Sequence, residues 1–156
     1  MGIFRGRRGR PAKPKASGAE KIVEDEKLED TEEFELPSIK IRKLDEKASD
    51  PVRKSFGFKV FSGEAKVILP SKSNAVVDTK LEVEVPEGYY LRVAPSSSFG
   101  FSSDIVAFSG ILEEGKHNLK IKFYNNSNRV KEFIIGEALA DIEILQVNHF
   151  DLEIGE

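Results

Sequence analysis

The sequence predicts an all-β fold, a sandwich or closed barrel, on three observations. Apolar and polar residues alternate at period two in several segments, turn residues punctuate those segments at short intervals, and no convincing helix interrupts them. The pattern runs from Ser38 to Val147, within a chain of 156 residues, which is enough for one domain with a real core.

The elements follow in order. Ile39, Ile41 and Leu44 mark a first strand, and Phe56, Phe58 and Val60 alternate with Gly57, Lys59 and Phe61 in the next. Ala65–Leu69 is a third, ended by Pro70. Leu81, Val83 and Val85 alternate with Lys80, Glu82 and Glu84, a strand with one wet face. In Val85-Pro86-Glu87-Gly88 the proline and glycine suit a type I turn. Tyr89–Val93, aromatic and β-branched, continues as a strand until Pro95, which cannot donate to a ladder. Ile105–Leu112 and Leu119–Tyr124 flank Glu113-Glu114-Gly115-Lys116, the pattern of a hairpin, with Leu119, Ile121 and Phe123 on one side and Lys120 and Lys122 on the other. Asn125-Asn126-Ser127-Asn128 is a turn cluster, after which Lys131–Ile135 and Leu139–Val147 are the last strands. Residues 148–156 form a tail in which Phe150, Leu152 and Ile154 alternate with acidic residues, an edge strand for a neighbouring subunit or a frayed end.

Residues 1–37 read as an extended charged arm. Arg5, Arg7, Arg8, Arg10, Lys13 and Lys15 make residues 1–15 basic, and nine carboxylates make residues 20–35 acidic. So few apolar residues cannot form a core, and arms of this kind commonly bind a partner. Arg8-Gly9-Arg10-Pro11 resembles the core of an AT-hook, whose arginines are drawn to the narrow minor groove of DNA. A protein partner and plain solubilisation remain open beside it. No apolar run reaches the length of a membrane span or a signal-peptide core. There is no cysteine, and the two histidines, His117 and His149, lack metal-ligand spacing. Cytoplasmic placement is expected unless the chain is viral.

Taken as a series, several short segments resemble the motifs of the trimeric dUTPase and dCTP deaminase superfamily. Phe56-Gly57-Phe58-Lys59-Val60-Phe61 is similar to the first motif, Ala-Gly-Tyr-Asp-Leu-Tyr. Pro86 through Ala94-Pro95-Ser96-Ser97-Ser98 is similar to the second, which ends Ala-Pro-Arg-Ser-Gly. Gly110-Ile111-Leu112-Glu113 stands where the third has Gly-Val-Ile-Asp, and Ile135–Ile142 parallels the fourth, Lys-Gly-Asp-Arg-Ile-Ala-Gln-Leu. The resemblance implies a distorted jelly-roll trimer with active sites between subunits, where a carboxylate activates water and magnesium rides on the triphosphate.

Against that pattern, four positions depart. Lys59 replaces the metal-holding Asp, Ser96 the phosphate-binding Arg, and Asp141 the fourth-motif Gln; Lys122 replaces the deaminase branch's water-activating Glu. The hairpin is short and lacks the Tyr that packs under deoxyribose, and no Gly-rich fifth motif precedes Glu156. The expectation is therefore a non-catalytic homotrimer without cofactor. Its most concrete form is a decoration or cement protein of a viral capsid, its arms (residues 1–37) clamping the coat and placing it in the virion. The alternatives are a dUTP pyrophosphatase using magnesium, with Glu113 as base and Ser97 on phosphate, and a DNA-associated trimer acting through residues 5–15.

Overall fold

A computed structural model describes residues 36–100 and 104–155, and holds eleven strands and one short helix among them. The strands are β1 (Lys40–Lys43), β2 (Val52–Arg53), β3 (Gly57–Phe61), β4 (Lys66–Leu69), β5 (Asn74–Val85) and β6 (Tyr89–Pro95). After the helix α1 (Ser97–Gly100) come β7 (Ile105–Ala107), β8 (Gly110–Leu112), β9 (Gly115–Asn125), β10 (Lys131–Ile134) and β11 (Ala138–Gln146). One sheet has the order β1-β5-β9-β7, a second β2-β3-β11-β6-β8, and β10 pairs with β4 in a small third; every pairing is antiparallel. The all-β prediction holds. Among the described residues no helix is long and apolar enough to cross a membrane.

Alternation makes the core. Leu81, Val83 and Val85 of β5, Leu119, Ile121 and Phe123 of β9, Leu91 and Val93 of β6, and Phe58 and Val60 of β3 are all buried. Removing each such side chain from water contributes roughly 1.5–3 kcal/mol. The β9 sheet, the small β4–β10 sheet and α1 meet at an aromatic cluster, with the Phe123 and Phe133 ring centroids 4.6 Å apart and Phe99 edge-on to Phe123 at 5.4 Å.

Three elements differ from the sequence reading. β5 starts at Asn74, ahead of the alternation that begins at Lys80, and carries a bulge between Asp78 and Leu81. There Thr79 Oγ1 donates to the Leu119 carbonyl at 2.6 Å, and Lys80 takes a φ of 58°. The stretch Ile105–Leu112 is two strands in different sheets: β7 pairs with β9, and β8 pairs with β6. The expected hairpin is thus a crossing from one sheet to the other. Finally, residues 148–155 form no strand within a single chain, and Phe150, Leu152 and Ile154 are exposed.

Candidate active site

β6 is the axis of the site, and its two ends carry different chemistry. It begins at a tight turn in which Tyr89 N donates to the Pro86 carbonyl at 3.3 Å and Gly88 has φ +81°. With glycine third in the turn at positive φ this is type II geometry, one residue later than the type I turn read from the sequence. Val147 N donates to the Gly88 carbonyl at 2.8 Å, tying the end of β11 to the turn.

Beside this turn lies a cleft of about 380 Å³, lined by Gly88, Tyr89, Tyr90, Ile111, Glu113, Glu114 and Val147. Glu113 and Glu114 are the whole link between β8 and β9, and both are exposed. His117 Nε2 lies 2.7 Å from the Glu113 carbonyl oxygen, so that nitrogen donates and closes the link. The register Leu91↔Leu112 and Arg92↔Ile111 carries forward to set Tyr90 beside Glu113 on the outer face of the sheet. Glu113 was legible as a candidate base. The tyrosines and Val147 were missed, although the period-two alternation around buried Leu91 already turns Tyr90 outward.

At the far end of β6, Ser96 is 1% exposed and Ser97, the first residue of α1, is exposed. Phe99 holds this loop in place by packing on Phe123 and Phe133. Ser97 and Glu113 are not brought together within one chain. The seven steps from Tyr90 to Ser97 span roughly 23 Å at about 3.3 Å per residue.

The replaced positions find partners among themselves. Lys59 and Asp141 are cross-strand neighbours on β3 and β11, with Lys59 Nζ 3.6 Å from Asp141 Oδ1 and side chains 22% and 15% exposed. The two are an ion pair beyond hydrogen-bond range, and Asp141 Oδ1 is buried with no hydrogen-bond partner among the described residues. On the same face, Arg92 Nε donates to Glu143 Oε2 at 2.5 Å, a second ion pair that no motif pointed to. Lys122 stands on the exposed side of β9, 5.4 Å from the Phe108 ring centroid. Among the described residues no group of three or more acidic or histidine side chains is placed to hold a metal. The Glu113–Glu114 pair offers two carboxylates and Asp141 faces an ammonium, so these residues do not fit a resident divalent cation, which takes six or more oxygen ligands. Arg5, Arg7, Arg8, Arg10, Lys13 and Lys15 lie outside the described residues.

Residues 50–154 match the dUTPase family profile. The chain is 28% identical over 133 residues to a deoxyuridine 5'-triphosphate nucleotidohydrolase of Yarrowia lipolytica, covering 76% of this chain and 83% of the relative. It is 29% identical to one of Paramecium bursaria Chlorella virus 1, covering 72% and 82% respectively. In structure it is similar to a dUTPase of Staphylococcus bacteriophage 80alpha solved with dUpNHpp, at TM-score 0.69 and 20% identity over 78% of this chain and 89% of that one. A dUTPase from phage phi11 of S. aureus, described as coordinating a structural Mg(II) ion, gives TM-score 0.69 at 23% identity over 77% and 97%.

These relatives overturn the expectation of a non-catalytic capsid decoration or cement protein. The curated ones are named as nucleotidohydrolases, and their similarity spans most of the β domain. The geometry supplies the physical reason. Substitutions read as lost chemistry are absorbed locally: Ser96 is buried, Lys59 and Asp141 pair with each other, and Lys122 lies over Phe108. Glu113, meanwhile, lines an open cleft. The family profile covers residues 50–154, more than half of the sequence, and the chain belongs to the dUTPase family.

Proposed function

We propose that the chain is a dUTP pyrophosphatase, with Glu113 as the base that activates water and Ser97 as a hydrogen-bonding contact to phosphate. The observation that carries this reading is the exposed Glu113 carboxylate at the mouth of the cleft beside Tyr90. Water gives its proton to Glu113 as its oxygen attacks phosphorus. The α–β phosphoanhydride bond breaks, pyrophosphate leaves, and dUMP remains. Magnesium enters as part of the substrate, bound to the triphosphate, because the described residues form no cage for it.

The separation of Glu113 from Ser97 sets the assembly. Both act on one nucleotide only if Ser97 comes from another copy of the chain, which fits the homotrimer with sites between subunits that the family resemblance implies.

Pyrophosphate release from dUTP with magnesium is the test, using the full chain. Turnover is expected, and Glu113→Gln is expected to lower kcat by 10²-fold or more with folding unchanged. A wild-type chain that releases no pyrophosphate, or a Glu113→Gln variant as active as wild type, would overturn the reading.

A further inference from the structure

We propose that Tyr90 is the platform on which the pyrimidine ring of the nucleotide stacks, which makes it the residue that holds the nucleoside end of the substrate. The inference rests on the pyrophosphatase reading and goes beyond it by assigning the neutral half of the substrate to one side chain.

Charge decides which half of a nucleotide the cleft can take. Glu113 and Glu114 border it, and among the described residues no basic side chain lines it. Inside a slot edged by two carboxylates a polyanionic triphosphate is disfavoured and an uncharged nucleoside is not, so the magnesium-bound phosphates run out past the mouth, where Glu113 stands. The other walls are Ile111, Val147 and the two tyrosines, so the slot is apolar with one acidic edge. A flat ring that carries both a π face and an N–H donor fits it: the face meets an aromatic side chain and the N–H meets a carboxylate. Uracil is such a ring. A cleft of about 380 Å³ lies within the size range of small-molecule sites.

Of the two tyrosines, Tyr89 leans on the core cluster. Tyr90 is half-buried, precedes fully buried Leu91 and follows the Gly88 turn. Its outward face therefore lies on the side of the sheet that carries Glu113 and Ile111. The bond from Val147 N to the Gly88 carbonyl and the pairing of Leu145 with Tyr90 hold the strand fixed beneath it. A fixed aromatic face loses little freedom when a base settles on it, and each stacked base is sensitive to truncation of its partner.

The chain has no tryptophan and three tyrosines, so intrinsic emission reports on Tyr89, Tyr90 and Tyr124. Titration with dUpNHpp is expected to quench that emission in the wild type and in Tyr124→Phe. Tyr90→Phe is expected to bind within about twofold of wild type. Tyr90→Ala and the bulk-preserving Tyr90→Leu are expected to weaken binding about tenfold and to raise KM more than they lower kcat. Circular dichroism on each variant separates lost stacking from lost folding. If folded Tyr90→Ala and Tyr90→Leu bind dUpNHpp as tightly as wild type, the stacking inference is overturned and the pyrophosphatase reading stands. If the wild type itself does not bind dUpNHpp, both are overturned.

Discussion

Lys59 and Asp141 show what a change of residue means once its neighbour is known. Each alone, set against the family motif, reads as lost chemistry; together they are a cross-strand pair with opposite charges, mostly withdrawn from water. Such a pair stabilises little by itself, because desolvation offsets attraction, but removing one partner strands the other. Asp141→Ala is therefore expected to lower stability by about 1–3 kcal/mol, measured by chemical denaturation. The reversed pair, Lys59→Asp with Asp141→Lys, is expected to recover most of what Lys59→Asp alone loses. If the double variant is no more stable than Lys59→Asp, the two side chains are not coupled. Glu113 was legible at this scale because its position after Gly110-Ile111-Leu112 needed no partner to interpret. The pairing was not, because β3 and β11 are about eighty residues apart in sequence and only their register joins them.

Most strands were legible as elements, since period-two alternation survives wherever one face is buried and the other wet. Leu119, Ile121 and Phe123 against Lys120 and Lys122 give the clearest case. Legibility failed where tertiary contacts override local signals. β5 carries Asp78 and Thr79 through a strand because the bulge gives their polar groups partners: Lys80 N donates to Asp78 Oδ1 at 2.7 Å, Asp78 N to Glu64 Oε2 at 2.9 Å, and Thr79 Oγ1 to the Leu119 carbonyl. Ile105–Leu112 breaks in two because Phe108 N donates to the Lys122 carbonyl just before the chain leaves that sheet. The pairing of β3 with β11 also depends on a bare backbone at Gly57, where a Cβ would lie 1.9 Å from the Ile142 carbonyl oxygen. Gly57→Ala is expected to cost roughly 3 kcal/mol or more, read as a fall in Tm, because backbone on both sides must move. A variant that melts with the wild type would show that the two strands can separate at no cost.

At the scale of the whole molecule, the opposite ends of β6 make the central prediction. Sedimentation is expected to give a particle of three times 17.4 kDa. A monomer would leave Ser97 and Glu113 unable to share a nucleotide. Mixed trimers test the same point by complementation: inactive Glu113→Gln chains assembled with Ser97→Ala chains are expected to recover part of the turnover, since some sites then combine two intact residues. By itself the sequence determined the all-β class, the family resemblance and the acidic candidate at Glu113, because alternation, turn residues and motif order are local and survive being read one segment at a time. Only the tertiary structure decided that Lys59 and Asp141 are counter-ions, that the supposed hairpin crosses between sheets, and that Tyr90 stands beside Glu113 while Ser97 lies at the other end of the strand. The physical reason is register: which side chains share a face is fixed by pairings between distant strands, and no stretch of sequence contains both partners.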